Sequence, residues 1–384
     1  MTTSSAQRTA PEEGRLLTFT PLSRLESARE LVSAIQLLSL ARSLAEIQEI
    51  VRTAARRLTG ADGATFVLRD EGQCYYADED AISPLWKGQR FPLEMCISGW
   101  TMLNRRPALI GDIYRDARVP HEAYRPTFVK SLAMVPIRTV DPVGAIGNYW
   151  AHHHEPSAAE VELLQALADS TAVAMENVRA YEELERARLE TLERLALAAE
   201  YRDDSTQEHT ERVARTAALL ARALELPDAQ VELLRQAAPL HDIGKLAVPD
   251  ALLLKPGKLT PSEFEEIKGH AAAGAAILSG SSYDVLCLAE EIAHTHHEWW
   301  DGSGYPAGLS GEAIPIAGRI VALADVFDAL THSRPYKPAW PVAEAVAEIE
   351  RLEGLQFDPA VVSAFRSLDP LALVGPVALE RSAA

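Results

Sequence analysis

From Ala158 to Asp204 the chain contains neither Gly nor Pro, and no other stretch constrains the fold as much. Ser157, with Glu160 three residues on, makes a capping box, so a helix opens there and nothing in the sequence stops it. Val178, Tyr181, Leu184, Leu189, Leu192, Leu195 and Ala199 give it an imperfect apolar seam, while Glu and Arg dominate the other faces. So narrow a seam suits a parallel two-stranded coiled coil, and with it a parallel homodimer, better than a core helix. A solvated spacer helix is the alternative. The stretch separates two regions of different character, and 384 residues are enough for each to bury its own core.

Upstream, the apolar spacing is helical from Leu22 to Leu58, through Leu31, Ile35, Leu38, Leu44, Ile47, Ile50 and Val51. Short strand-like runs follow: ATFVLR (64–69), CYYA (74–77), ALI (108–110), SLAMVPIR (131–138) and GAIGNYW (144–150). Helix, strands, then helix predict an α+β domain with an antiparallel sheet. Beyond Asp204 the period is helical, with loops at Pro and Gly and no alternating run, which predicts an all-α domain. The expected organisation is multidomain: a disordered arm over 1–21, an α+β domain over 22–175, a linker helix over 176–204, a helical domain over 205–370 and a tail over 371–384.

Composition narrows the function. A net charge of −18 disfavours a nucleic-acid polymer as partner, since such binding neutralises many phosphates. No apolar run approaches the length of a membrane span, and MTTSSAQRTAPEEG lacks the apolar core of a secretory signal. Cys74, Cys96 and Cys287 are scattered without a CxxC pair, which argues against a disulfide framework and a zinc ribbon. A reducing cytoplasm is the expected compartment.

Seven of the eleven histidines fall between His209 and His332. His209 stands in STQEHTERV, His241 and Asp242 in LHDIGK, His270 in KGHAAAG, His296 and His297 in HHEWWDGSGYP, and Asp325 in ALADVFDAL; a cationic RPYK occupies 334–337. Imidazole with carboxylate suits iron, manganese or zinc, and the lack of nearby thiolates disfavours a structural zinc site. If His241 and Asp242 lie on a helix they point about 100° apart, so one ion can draw on both while Asp242 bridges to a second. Five histidines and two aspartates exceed the need of one ion. Lys245 would lie one helical turn after His241, where an ammonium neutralises a phosphate oxygen or protonates a leaving alkoxide. Two ions would activate water and clamp a phosphoryl group in phosphodiester hydrolysis. His332, His121 and the run His152–His154 read as structural, and His294 as structural or supporting.

Two resemblances carry the reading further. Residues 22–180 resemble a GAF domain in element order and in CISGW (96–100) and SLAMVPIR, which implies a sensor or dimerisation module whose ligand is unknown. Residues 195–368 resemble the HD-GYP family of the HD phosphohydrolase superfamily through LHDIGKLAVPDALLLKPGKLT, HHEWWDGSGYPAGLSGEAIP, RIVALADVFDALTHSRPYK and GLQFDP. That resemblance implies a phosphodiesterase converting cyclic di-GMP to pGpG or onward to GMP. It implies two divalent ions per chain, iron first and manganese second, held by His209, His241, Asp242, His270, His296, His297 and Asp325. Lys245 and Asp242 would be catalytic. Tyr305, Arg334, Lys337 and Asp328 are grouped on the substrate side, with a supporting place behind the ligands as a second reading of Asp328.

Two departures bear on this. Some family members carry a glutamate four residues before the first histidine ligand, supporting a third ion; Ser205 stands here, which favours two ions and, with Glu208, reads as a helix cap. Trp299 occupies a position usually cationic or polar, which bears on how a base stacks or a loop closes. Thr260-Pro261-Ser262-Glu263 reads as the start of a helix. The competing functions are an HD phosphohydrolase acting on ppGpp or a dNTP, against which GYP and RPYK argue, and a decayed cyclic-dinucleotide-binding scaffold, against which the intact ligands and Lys245 argue.

Overall fold

The structure, a computed structural model, describes residues 24–202, 208–333 and 338–375. They divide between Leu184 and Glu185 into two compact units.

The first unit opens with α1 (Arg24–Leu40) and α2 (Leu44–Thr59). The helical spacing of this region thus resolves into two helices, parted where Ser43 caps the second by accepting from the Glu46 N–H. A left-handed Gly60 ends α2. Then come β1 (Gly63–Asp70), β2 (Gln73–Ala81), β3 (Arg90–Pro92), α3 (Ile97–Asn104), β4 (Ala108–Ile110), α4 (His121–Tyr124), β5 (Ser131–Ile137), β6 (Gly144–Trp150) and α5 (Ala158–Glu200). The six strands form one antiparallel sheet in the order β3-β2-β1-β6-β5-β4. Every residue of β5 and β6 is buried, because both faces of the sheet are covered. Phe66, Val135 and Trp150 pack with Ile47, Val51, Leu164 and Leu167 of the helices. Val67, Met134 and Tyr149 turn the other way, onto Trp86, Ile97, Met102 and Tyr124. The expected capping box opens α5: Ser157 N–H donates to Glu160 Oε2 at 2.7 Å, and Glu160 N–H donates to Ser157 Oγ at 3.3 Å.

The second unit begins within α5. Ala196 and Ala199 are buried in its core and Leu192 packs against it. There follow α6 (His209–Ala223), α7 (Asp228–Ala237), α8 (Asp250–Leu253), α9 (Pro261–Leu278), α10 (Asp284–Thr295), α11 (Ile316–Thr331), α12 (Val342–Arg351), α13 (Pro359–Arg366) and α14 (Pro370–Val374). Val213, Leu220, Leu234, Ile292, Ile320 and Phe327 sit at the centre of one apolar core. Thr260 and Glu263 form the capping box that starts α9, with Pro261 as its first residue. No element of the described residues in this unit is a strand, and none of the described helices is long and apolar enough to cross a membrane.

One local expectation is corrected. His241 and Asp242 do not lie on an α-helix but between two 3₁₀ turns, Ala238–Leu240 and Ile243–Ala247. At three residues per turn, Lys245 comes to stand over Asp242 rather than over His241. Gly244 explains the tightness: a Cβ there would lie 1.9 Å from the His270 carbonyl oxygen, so only glycine lets this turn press against α9.

Candidate metal centre

Four of the five histidines of the group are held by Nδ1. His209, the first residue of α6, has Nδ1 2.6 Å from Asp328 Oδ2. His241 Nδ1 lies 2.9 Å from the Ala238 carbonyl, and His270 Nδ1 2.7 Å from the Ile267 carbonyl. His296, at the end of α10, reaches back to the Ile292 and Ala293 carbonyls at 3.1 and 3.2 Å, the first of which also accepts the His296 backbone N–H. A carbonyl only accepts, so these three rings carry a proton on Nδ1 and turn Nε2 inward.

Those inward atoms have no hydrogen-bond partner. Nε2 of His241, His270 and His296, together with Asp242 Oδ1, are buried and unpaired. Leaving a buried polar group unpaired costs about 1–3 kcal/mol, so four in one place require an explanation. Metal ligation provides it, and the donor set fits a divalent cation: the atoms converge, and each ring is oriented through its second nitrogen as metal-bound imidazoles are. The donors fall into two groups, Asp242, His270, His296 and His297 in one and His209, His241 and Asp325 in the other, with ligand atoms within 4.8 Å of one another in each. Asp242 lies between them. Its Oδ1 is 3.4 Å from His270 Nε2 and 3.7 Å from His296 Nε2, while its Oδ2 is 3.3 Å from His241 Nε2 and 2.8 Å from Lys245 Nζ. Asp325 Oδ1 is 3.4 Å from His209 Nε2.

Electrostatics follow the same division. Burial pushes His241 down, but the charges of Asp242 and Asp325 outweigh this and hold the ring up at about 9. A cation between those carboxylates competes with that proton, so metal uptake releases it. Burial pushes His270 down and His297 far down, which keeps both neutral as ligands require.

Asp328 is buried against His209 and Arg212, which fits the second of its two readings. Burial pushes its carboxyl up, yet hydrogen bonds to His209 and Arg212 hold it far below the carboxylate range. Arg212 Nε and Nη2 donate at 2.6 and 3.0 Å, and His209 occupies the remaining position. With both oxygens engaged and the side chain buried, Asp328 orients His209 instead of meeting a ligand. His332, expected to be structural, lies against the same residue, with Nδ1 3.1 Å from Asp328 Oδ1. Tyr305 stacks on His297 with ring centroids 4.8 Å apart, and Lys268 Nζ lies 5.3 Å from its ring centre. Burial pushes the Tyr305 hydroxyl up, so it stays a proton donor. Arg334, Lys337 and Ser205 lie outside the described residues.

Three contributors were not singled out from the sequence. Arg212 follows His209 by three residues, just as Asp328 follows Asp325, so a helical offset from each ligand was the available signal. Glu200, buried at the end of α5, accepts from Thr210 Oγ1 at 3.1 Å, and burial pushes its carboxyl up against the pull of His209. Glu298 is the third, and lies inside the quoted HHE. Its Oε1 accepts from the Ala307 N–H at 2.7 Å and its Oε2 from the Leu309 N–H at 3.0 Å. It thereby pins the loop that carries Tyr305, while Gly304 lets the loop close, since a Cβ there would lie 2.3 Å from the Trp299 nitrogen. Glu298→Gln puts an amide NH₂ where a carboxylate oxygen met an N–H. It should lower stability by about 2 kcal/mol with metal content retained. Urea denaturation with elemental analysis checks this, and an unchanged midpoint would leave the loop held by other contacts.

A helical unit that brings histidines and aspartates from α6, α9, α10 and α11 to a His-Asp pair defines a class of metal-binding helical domain. Residues 192–361 match the family model of the HD domain and residues 41–176 that of the GAF domain, so the chain carries a GAF domain followed by an HD domain. Similar proteins include a cyclic di-GMP phosphodiesterase of Thermotoga maritima, 50% identical over 189 residues, covering 49% of this chain and 51% of that protein. A cyclic di-GMP phosphodiesterase response regulator of Xanthomonas campestris is 50% identical over 182 residues, covering 47% and 48%. A 3'3'-cGAMP-specific phosphodiesterase of Vibrio cholerae is 39% identical over 225 residues, covering 59% and 42%. The chain thus spans about half the length of the relatives it matches.

Proposed function

We propose that this chain is a metal-dependent phosphodiesterase that hydrolyses a cyclic dinucleotide, cyclic di-GMP first, to pGpG or GMP, under the control of its GAF domain. The observation that carries the reading is the convergence of three unpaired Nε2 atoms on Asp242, those of His270 and His296 on Oδ1 and that of His241 on Oδ2, beside the Lys245 ammonium. The names of the similar proteins supply the substrate class.

Two ions, iron before manganese, would be held by the two donor groups with Asp242 shared between them. Bound there, such ions supply Lewis acidity and a water nucleophile at neutral pH. The protein's own groups do the rest. Lys245 offers its proton to the leaving alkoxide, and Tyr305 presents its hydroxyl and ring at the edge formed by His297. Arg334 and Lys337 would grip phosphates, a role for which the planar fork of a guanidinium is suited. A parallel homodimer would cover Tyr181 and Leu184 of α5, both more than half exposed.

The test is anaerobic purification with metal analysis, followed by a panel of cyclic di-GMP, 3'3'-cyclic GMP-AMP, pGpG and ppGpp. We expect about two ions per chain and cleavage of cyclic dinucleotides that a chelator abolishes. Cleavage of ppGpp alone, or chelator-resistant activity, would overturn the reading. Cyclic GMP-AMP is the second substrate to weigh, because the Vibrio cholerae relative named for it aligns over the largest share of this chain among the three.

A further inference from the structure

Cys74 and Cys96 are distant in sequence but meet in the first unit. Cys74 lies in β2, opposite Phe91 of β3, and Cys96 caps the start of α3. Both belong to the apolar cluster that contains Trp86 and Tyr124. Cys74 is fully buried and Cys96 is 7% exposed. Each thiol bears on the other's proton, Cys96 raising Cys74 and Cys74 lowering Cys96.

The two sulfurs have different surroundings. Ser98 Oγ lies 3.2 Å from Cys96 Sγ and 3.1 Å from Tyr76 Oη, so Tyr76 can donate to Ser98 while Ser98 donates to the sulfur. On another side the Pro92 carbonyl lies 3.6 Å away and accepts from the Cys96 S–H while that thiol keeps its proton. Cys74, opposed by burial and reinforced by Ser98 and the Gly99 backbone, pulls Cys96 down to about 7. Cys74, raised by Cys96 and by its enclosure, is pushed far up. A cavity of about 340 Å³ opens onto Cys96, lined also by Tyr76, Trp86, Phe91, Met95 and Tyr124. Two thiols that merely fill a core have neither donors gathered around one sulfur nor a cavity at it. Reactive cysteines have both, together with a resolving partner.

We propose that Cys96 and Cys74 are a redox pair, in which Cys96 takes oxygen from a small peroxide entering this cavity and Cys74 resolves it to a disulfide. In the first step the Cys96 thiolate attacks one peroxide oxygen. The O–O bond breaks, Cys96 becomes a sulfenic acid, and the departing hydroxide takes up a proton as water. In the second step the Cys74 sulfur attacks Cys96 Sγ. The S–S bond forms, the S–O bond breaks, and the leaving hydroxide carries off the Cys74 proton as water. Two thiols lose two electrons and one peroxide becomes two waters, leaving β2 covalently joined to the start of α3.

The test uses the full-length Cys287→Ser protein, which removes the one exposed cysteine, loaded with manganese so that the peroxide meets no ferrous iron. One equivalent of hydrogen peroxide should abolish both titratable thiols, and peptide mapping should find Cys74 joined to Cys96 within one chain, reversed by a thiol reductant. In that background Cys74→Ser should stop at a sulfenic acid on Cys96 that dimedone traps, and Cys96→Ser should leave Cys74 reduced. Two persisting thiols, a linkage only between chains, or equally fast oxidation of Cys74 in Cys96→Ser would overturn the proposal. If a serine variant fails to fold by circular dichroism, the linkage map of the parent protein decides alone.

Discussion

Asp242→Asn should empty both metal groups and stop hydrolysis. Asp242 is the residue whose two oxygens face different donor sets, Oδ1 toward His270 and His296 and Oδ2 toward His241. An amide has one oxygen and no charge, so it can serve one side at most, and its NH₂ would point a donor at cations or at imidazole lone pairs. Losing even an outer partner costs metal affinity about 10- to 100-fold; losing a shared carboxylate should exceed that, with turnover down by about 1000-fold. Elemental analysis of anaerobically purified protein is the measurement, with His121→Ala in the first unit as the control that keeps its metal. Full occupancy in Asp242→Asn would place the bridge elsewhere.

Lys245→Ala should separate chemistry from ligation. Its Nζ sits 2.8 Å from Asp242 Oδ2 in a turn that fixes the pair three residues apart. If the ammonium serves the phosphoryl group, as a proton donor or a counter-charge, its loss should slow turnover by about 100-fold or more with metal content intact. If it chiefly supports the Asp242 carboxylate, metal content should fall along with activity. Lys245→Arg sharpens the distinction, because a guanidinium keeps the charge but gives up its proton far less readily. Wild-type turnover in Lys245→Ala would remove it from the reaction.

What could be read in advance depended on the range over which each interaction acts. The α+β and all-α halves, five of the six strands, the Ser157 capping box and the helix start at Thr260 depend on neighbours a few residues apart, and their patterns were visible. So was the set of chemically suited histidines and aspartates, because their side chains announce what they can ligate. The helical reading of His241 and Asp242 failed because a four-residue stretch fits 3.0 and 3.6 residues per turn equally well. Only the close approach of Gly244 to α9 decides between them. The two readings of Asp328 stayed open because a carboxylate near a site looks the same from the sequence whether it meets substrate or Arg212. The meeting of Cys74 with Cys96 was invisible because it depends on how β2 lies beside the start of α3. The seam of α5 misled in a subtler way: Tyr181 and Leu184 are exposed while Ala196 and Ala199 are buried in the second unit's core, although one periodicity runs through all four.

That last feature determines where the catalytic half can be cut from the rest. A boundary drawn at the end of the linker, after Asp204, looks natural on paper. It would strip the HD domain of the turn that carries Leu192, Ala196 and Ala199, and bare the apolar floor against which they rest. It would also remove Arg188, whose guanidinium lies 3.6 Å from the centre of the Tyr283 ring, and Glu200, which accepts from Thr210. A fragment meant to stand alone has to keep its leading helix from about Glu185, where the two compact units part. The linker is therefore shorter than its helix, and any joint between the halves has to lie before that residue.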